Sequence, residues 1–413
     1  MEKELPDKYS RIIVTPDYPS HIVENFRRFL TYVSTHKIKL TRSKGYFTKK
    51  DLIALQSQMK GEKREVPEHA TQQEYPMLHL FYELSLVLDF IKVKRTKSSA
   101  AAIIQDEPID VFMGLTATEQ YLSLLEAFWT EADWKELQGE KSGRPPIGVD
   151  ILFEELEAYP DNKEIKLSRK KEIGSVVEYG HFLYYFSYFG FWTFTISEER
   201  NHKYTIAKSI TLTPFFKKIQ HVLAETYEMY SDPAEEQAFN ALGELFGFRT
   251  GREEEIEEEP ENAESLVELL SPYFQQEELR KVLRKQEPAF KAGNYLFKVN
   301  FDSDWKTLKF SSSHTLLDVH DAIQEAFEFG GDHLYAFYMD GQKFGKHFYN
   351  APMDTNRPYA DEVQIGMLDL YEGQMFLYLF DFMAEWEFKI LVLEIIDEEE
   401  IGEPAIVEIS GEV

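Results

Sequence analysis

The 413 residues, 43% hydrophobic and 15% aromatic, are enough for two or three packed domains and exclude wholesale disorder. Cysteine is absent, which excludes disulfides and thiolate metal sites, and neither a signal-peptide core nor an apolar run of membrane-spanning length is found. These features predict a cytoplasmic protein. The net charge of −28 is uneven, since residues 1–100 hold 18 Lys and Arg against 12 Asp and Glu, whereas the remainder holds 27 against 61.

The first predicted domain, residues 1–137, is mainly helical. Apolar spacing predicts helices over Ser20–His36, Lys49–Met59 and Glu74–Asp89, with a short strand over Ile38–Leu40 between the first two. The runs FIKVKR and AAAII, joined by TKSS, predict a hairpin. The order helix, strand, helix, helix, hairpin is typical of a winged helix. Further helices over Thr118–Thr130 and Glu131–Leu137 are expected to pack beside it.

Basic residues in this domain are candidates for contact with nucleic-acid phosphates. The candidates lie before the second helix and on the predicted hairpin: Lys37, Lys39, Arg42, Lys92, Lys94, Arg95 and Lys97. The third helix has no Lys or Arg, so we do not expect it to read base edges. The alternative is that the charge asymmetry only reflects an acidic, soluble surface on the rest of the chain.

Three further segments precede the C-terminal domain. Residues 138–172 read as a linker and helical connection. Residues 173–250 predict a second winged-helix-like unit, with a helix over Val176–Phe186, strands over Trp192–Ile196 and Tyr204–Leu212, and a helix that Thr213 caps. Residues 251–291 form a predicted acidic linker with short helices, because Glu253–Glu268 contains nine Glu and no basic residue.

Residues 292–413 predict a β-grasp-like α+β domain. The runs NYLFKVNF and WKTLKF form a hairpin, and a helix over Thr315–Phe329 follows, with Asp318 at capping-box spacing from Thr315. Strands are predicted over Leu334–Met339, Gln374–Phe380 and Trp386–Leu393, and the late run PAIVEI is a candidate edge strand. The complete chain is therefore predicted to be an α+β multidomain protein, with winged-helix-like units in front.

Two histidines and nearby carboxylates in this domain are the candidate chemical groups. His320, Asp332, His333 and Asp381 are oxygen and nitrogen donors that could bind a divalent metal or act as an acid/base pair. The alternative is that both histidines are hydrogen-bonded packing residues. The sequence has no Walker loop, GxSxG elbow, GxGxxG after a strand or HExxH, so no catalytic residue and no cofactor are assigned.

Four blocks in the C-terminal 120 residues carry a family resemblance: TLLDVHDAIQEAFEF, GDHLYAFYMDGQKFG, DEVQIGMLDLYEGQMFLYLFDF and WEFKILVLE. In order and spacing they resemble the plasmid pRiA-four-b ORF-three-like family. The resemblance implies an α+β fold and an association with bacterial mobile elements, but no established reaction. Its motif positions here are His320, Phe327, His333, Leu334, Phe337, Asp381 and Trp386. Members usually carry a Gly-Asp-Gly-like or Gly-Asp-Asn-like turn where this chain has Met383-Ala384-Glu385.

The leading hypothesis from sequence is a non-enzymatic binding or regulatory protein that contacts a protein partner. Nucleic acid is a further candidate partner through the basic N-terminal region, and a membrane is not expected. An alternative is a metal-dependent or acid/base enzyme that uses His320, His333 and Asp381. A weaker alternative is that the acidic two-thirds of the chain mimics nucleic acid.

Overall fold

The computed structural model describes residues 11–61, 69–96, 99–139, 145–167, 176, 179–196, 207–230, 265–280, 289–331, 333–345, 347–354 and 357–409. The chain forms two compact units. The N-terminal unit contains Met1–Lys37, Phe47–Phe90 and Ile104–Arg284, and the C-terminal unit contains Ile38–Tyr46, Ile91–Ile103 and Lys285–Val413. The segments Ile38–Tyr46 and Ile91–Ile103 thus belong to the same unit as the end of the chain, whereas the sequence predicts them as part of a first domain over residues 1–137. Most of the predicted acidic linker 251–291 lies outside the described residues.

Helices are found in both units. Their ranges are α1 Ile22–Thr35, α2 Lys49–Gln56, α3 Pro76–Val87, α4 Asp106–Met113, α5 Ala117–Glu126, α6 Trp134–Gln138, α7 Val149–Leu156, α8 His181–Tyr188, α9 Pro214–Tyr230, α10 Leu266–Leu270 and α11 Leu316–Ala326. A π-helical turn over Ala127–Glu131 follows α5. Within the described ranges, no helix combines the length and apolar character needed to cross a membrane.

The strands pair in antiparallel sheets. Their ranges are β1 Lys39–Leu40, β2 Ile91–Arg95, β3 Ala100–Ile104, β4 Glu164–Lys166, β5 Trp192–Ile196, β6 Ala207–Leu212, β7 Asn294–Phe301, β8 Asp304–Ser311, β9 Tyr335–Tyr338, β10 Phe348–Asn350, β11 Met375–Phe380, β12 Trp386–Ile396 and β13 Ala405–Ile409. In the described residues they form three sheets, ordered β1-β3-β2, β4-β6-β5 and β10-β9-β11-β12-β7-β8-β13. The α+β character predicted for the chain is thereby confirmed.

Aromatic side chains fill the core of the N-terminal unit. Phe26 is fully buried, and its ring contacts those of Phe81 and Phe112 at centroid distances of 5.1 and 5.4 Å. Phe128, also fully buried, stacks on Phe189 at 4.8 Å. Buried aromatic pairs in stacked and edge-to-face geometry contribute beyond their area, so these rings help to hold α1 to α3 and α4, and the π-helical turn to the end of α8.

Two strands of the sheet β4-β6-β5 were predicted from the sequence, whereas β4 lies in residues 138–172, which were predicted as a linker and helical connection. β5 has the predicted bounds, β6 begins at Ala207, and the Oγ1 of Thr213 accepts a hydrogen bond from the Phe216 N–H at the start of α9. That capping interaction is the one that Thr213-Pro214 indicated. The predicted helix over Val176–Phe186 is observed from His181, and it continues to Tyr188.

The β2–β3 hairpin in the C-terminal unit lies against the loop 369–373. The ammonium of Lys92 is 2.6 Å from Asp369, and Lys291 binds the same carboxylate at 2.9 Å. Burial alone would raise the pKa of Asp369, but the two lysines hold it below its usual value. The Val93 N–H donates to the Tyr371 hydroxyl, and the Arg95 N–H donates to the Gly373 carbonyl. The hairpin is therefore fixed by residues nearly 280 positions further along the chain.

The seven-stranded sheet carries α11 on one face. Rows of buried residues on β7, β8, β11 and β12 face the helix, and they include Phe297, Phe310, Phe376 and Phe388. Thr315 caps α11, and its side chain and that of Asp318 form the predicted capping box. The helix ends at Ala326 rather than at Phe329, because Glu328 takes a left-handed backbone with φ of +56° and the Phe329 N–H donates to the Gln324 carbonyl.

Candidate functional site

His320 belongs to a polar group under α11 that we call the His320 cluster, made of His320, Gln324, Tyr335 and Tyr378. The Nδ1 of His320 is 2.7 Å from the Tyr378 hydroxyl, which also accepts a hydrogen bond from the Gln324 amide at 2.9 Å. The imidazole stacks on the Tyr335 ring with centroids 3.9 Å apart and planes 13° apart. Helix and sheet therefore meet here through an ordered polar contact.

The Tyr378 hydroxyl links His320 to Gln324. With the Gln324 amide as donor to this hydroxyl, the hydroxyl proton is available for Nδ1 and the imidazole carries its proton on Nε2. Burial lowers the pKa of His320 to about 4, so the ring is neutral at pH 7. Burial also raises the pKa of Tyr378 far above its usual value, so its hydroxyl stays protonated.

Two polar atoms of the His320 cluster have no hydrogen-bond partner among the described residues. They are the Tyr335 hydroxyl and the Oε1 of Gln324, both shielded from solvent. Tyr335 is only 3% exposed. Burial, followed by the charges of Asp321 and Asp361, raises the pKa of Tyr335, so these carboxylates act on the same hydroxyl. Both carboxylates belong to exposed residues.

Asp381 organises the turn that joins β11 to β12. Its Oδ1 accepts hydrogen bonds from the Met383 and Ala384 N–H groups at 3.0 and 3.2 Å, and its Oδ2 lies 3.6 Å from the Nδ1 of His333. Asp381 and Glu385 both take left-handed backbone conformations, with φ of +55° and +52°. Glycine adopts such a conformation without strain, so Glu385 stands at a position where the glycine of the family turn would be natural.

Exposed apolar side chains surround this turn and form what we call the tip patch: Leu334, Phe344, Met383 and Trp386, exposed by 39%, 47%, 97% and 38%. The Asp381 N–H donates to the Leu334 carbonyl, and the Phe344 ring lies 6.5 Å from that of Phe382. Lys343 binds both Glu385 and Glu387, at 2.8 and 2.9 Å. The turn is thus braced by its neighbours while its apolar side chains face solvent.

The predicted chemical residues are only partly brought together. His320 and His333 both contact the ring of Phe380, with centroid distances of 6.0 and 5.6 Å, but they bind different polar partners. Asp332 lies outside the described residues. Across the described ranges, no group of three or more His, Asp or Glu side chains is arranged to hold a metal ion.

The partners of His320, which are Gln324, Tyr335 and Tyr378, were not identified from the sequence, although a signal was available. Gln324 follows His320 by about one helical turn. Tyr335 and Tyr378 lie two positions before the buried Phe337 and Phe380 in their strands, so both tyrosines are on the sheet face that packs under α11.

The predicted nucleic-acid contacts have varied surroundings. Lys92 and Lys94 lie 2.6 and 3.5 Å from Asp369 and Glu372, and the Arg95 guanidinium donates to the backbone carbonyls of Arg42 and Lys44. Lys37, Lys39 and Arg42 are exposed, whereas Lys97 lies outside the described residues. Lys92 and Lys94 of the hairpin therefore form ion pairs within the chain.

Comparisons with known proteins bear on the C-terminal unit. No curated protein matches the chain. A solved structure, described as a protein of unknown function from Methanosarcina mazei, is 22% identical over 29% of this chain and 72% of its own, with a TM-score of 0.25. Residues 298–412 match the model of the family described as plasmid pRiA4b ORF-3-like protein, which confirms for the C-terminal domain the family resemblance recognised in the sequence.

Proposed function

We propose that this chain is a non-enzymatic binding protein whose C-terminal domain holds a protein partner through the tip patch. The exposure of Met383 and Trp386 at the β11–β12 turn, with Leu334 and Phe344 exposed close to the same turn, is the observation that carries the proposal. Contiguous apolar side chains on a surface mark interaction sites, and tryptophan and methionine are enriched where partners bury their contacts. The bracing of the turn by Asp381 and Lys343 keeps these side chains in place before a partner arrives.

The charge around the tip patch defines the partner's chemistry. Glu385 and Glu387 share one ammonium group, that of Lys343, and residues 292–413 as a whole hold 7 Lys and Arg against 24 Asp and Glu. Such a domain attracts positive surfaces over distances of about a Debye length. The expected partner segment therefore carries an aromatic or aliphatic anchor with lysine or arginine beside it.

Selection from a displayed peptide library on the full chain tests this proposal. Enriched peptides are expected to combine an apolar anchor with basic residues, and to bind more weakly as salt rises. Met383→Asp and Trp386→Ser are each expected to reduce the affinity of such a peptide at least about tenfold, which is the effect typical of losing a central anchor. Affinities are measured by fluorescence anisotropy.

Val407→Asp is the matched control for Met383→Asp. Val407 is 51% exposed on β13, and strands β7 and β8 separate β13 from β12. The control should bind the selected peptides as the unchanged chain does. Equal binding by Met383→Asp, or enrichment of acidic peptides, would show that the tip patch is not the contact surface.

The front of the chain fits the same proposal as a second contact region. The order α1, β1, α2, α3, β2, β3 and the sheet order β1-β3-β2 support a winged-helix-like assignment. If nucleic acid were a further partner, contacts with its phosphates would come from the exposed residues Lys37, Lys39 and Arg42. The β-grasp-like assignment for the C-terminal domain is supported by one helix that packs on a sheet in which β7 of the first hairpin pairs with the late strand β12.

A second candidate function is acid/base or metal-assisted catalysis, which the 3.6 Å approach of His333 to Asp381 favours. Elemental analysis of protein purified without a metal-affinity tag tests the metal version. Stoichiometric metal that is lost in a folded His320→Ala/His333→Ala double variant would support this function over binding alone. Protein that is free of metal and normally stable would count against it.

A further inference from the structure

Positive charge in the C-terminal unit is concentrated in its two early segments, Ile38–Tyr46 and Ile91–Ile103. Together they contain seven Lys and Arg residues and no Asp or Glu, whereas residues 292–413 hold 7 against 24. β1 of the first segment pairs with β3 of the second, so one small sheet carries this charge. Because exposed charges act over about a Debye length, this local excess determines which partners can approach the sheet.

The basic residues of the two segments fall into two groups. The two hairpin lysines that precede Arg95 are bound by carboxylates of the loop 369–373. Lys39, Arg42 and Lys44 have exposed side chains instead, within six consecutive positions. We call residues 39–44 the basic loop. It is therefore the part of this sheet that presents positive charge to solvent.

The backbone of the basic loop is held in place by Arg95. The guanidinium donates to the carbonyls of Arg42 and Lys44, at 3.2 and 3.4 Å. The Gly45 N–H donates to the Thr41 carbonyl at 2.8 Å and closes the turn. Gly45 has a φ of +75°, and a Cβ there would lie 2.7 Å from the Nη2 of Arg95. The exposed side chains thus project from a backbone that is already ordered.

The side chains exposed on these two segments suit a phosphate backbone better than a protein surface. In the described residues they belong to Lys, Arg, Ser, Thr and Ala, with no exposed large apolar side chain. Protein partners usually bury aromatic or aliphatic anchors, and single-stranded nucleic acids stack their bases on aromatic rings. Tyr46, the one aromatic residue of the two segments, is buried. Contacts with duplex phosphates need only basic and hydroxyl side chains.

We propose that the basic loop binds the phosphate backbone of a nucleic-acid duplex without reading its sequence. Lys39, Arg42 and Lys44 contact the phosphates, and Arg95 is a positioning residue that holds the loop through its carbonyls. Contacts of this kind orient a protein on a duplex but carry no base specificity. The basic loop shares no residue with the tip patch, so this contact does not depend on the proposed protein partner.

Fluorescence anisotropy with the full chain and a labelled DNA duplex tests the proposal. Each phosphate contact contributes about 0.9 to the fall of log K with log salt, so three contacts predict a slope of about −2.7. Two duplexes of unrelated sequence should bind equally, and a duplex RNA titrated in parallel shows which kind of duplex is preferred. Binding of neither duplex at about 50 mM salt would overturn the proposal. So would competition by poly-L-glutamate that equals that of unlabelled duplex at the same total charge.

A double variant with a matched control locates the contact. Lys39→Gln/Arg42→Gln is expected to weaken duplex binding about 100-fold at about 50 mM salt and to reduce the steepness of the slope by about 1.8. Lys163→Gln/Lys208→Gln changes the net charge equally at exposed positions elsewhere and should leave both unchanged. Equal weakening by the two double variants would mean that only net charge matters, and the basic loop would not be the contact.

The role of Arg95 is tested by the slope and by a conservative variant. Arg95→Gln should weaken binding several-fold with an unchanged slope, because the phosphate contacts remain but the loop must be ordered on binding. Arg95→Lys should not restore the affinity, since lysine lacks the planar fork that reaches two carbonyls. A slope that is shallower by about 0.9 in Arg95→Gln, or full rescue by Arg95→Lys, would make Arg95 a phosphate contact and contradict the positioning role.

Discussion

Replacing Phe388 with alanine is expected to lower the free energy of unfolding of the C-terminal unit by about 4 kcal/mol, as is usual for a buried phenylalanine. Phe388 is fully buried, and its ring stacks on Phe301 at 4.5 Å and contacts Phe327 and Phe329 at 5.4 Å each. Alanine would leave a cavity among rings that cannot all collapse into it. Urea denaturation followed by circular dichroism measures the loss.

The effect is expected to reach the tip patch, because Phe329 also packs edge-on against Trp386 at 4.6 Å. Peptide binding by Phe388→Ala should therefore weaken even where the unit remains folded. Met383→Ala is the stability control, since its side chain is 97% exposed and surface changes usually stay within about 0.5 kcal/mol. A decrease in the free energy of unfolding of less than about 1.5 kcal/mol for Phe388→Ala would mean that the Phe388 ring is not closely packed by its neighbours.

Lowering the pH from 7 to 5 is expected to cost the C-terminal unit about 2 kcal/mol through His320 alone. The pKa of this histidine is about 4 in the folded chain, because of burial, against an ordinary value of 6.5. The unfolded chain therefore binds more protons below pH 6.5, so stability is fully present above that pH and is lost as the pH falls toward 4. Urea denaturation at a series of pH values measures the slope.

His320→Gln separates this contribution from those of other groups. The variant is expected to be less stable at pH 7, because the Tyr378 hydroxyl loses one of its two hydrogen-bond partners, but its stability should fall less between pH 7 and 5. His79 in the N-terminal unit has its pKa lowered to about 4 by burial as well, and it remains as an internal reference in both proteins. An undiminished slope in His320→Gln would indicate that His320 is already charged in the folded state.

Local features of this fold could be predicted from the sequence because their causes lie within a few residues. Thr315 and Asp318 form the expected capping box, and the strand Trp192–Ile196 has the expected bounds. The hairpin of β7 and β8 turns where Ser303-Asp304 indicated, with Phe301 opposite Asp304. Turn chemistry and alternation of apolar residues determine each of these.

Features with distant causes were not predictable. Lys92 meets Asp369, which lies 277 positions away, so a lysine that the sequence presents as free for phosphate is ion-paired. The left-handed backbone at Glu328 ends α11 early although glutamate favours helix. His320 is hydrogen-bonded to Tyr378, 58 positions away, and is neutral because it is buried. In the candidate site, His320, His333 and Asp381 could thus be recognised as candidate chemical groups from the sequence, whereas the residues that they contact were evident only from the fold.

The grouping of residues 91–103 with the end of the chain bears on the order of synthesis. A ribosome makes the hairpin long before Asp369 and Tyr371, so its lysines emerge without the groups that later bind them. A fragment that stops at residue 137 would keep the hairpin in that unfinished condition. Nucleic-acid binding by such a fragment would then report in part on Lys92 and Lys94 without the ion pairs that they form in the full chain, and experiments on this chain call for its full length.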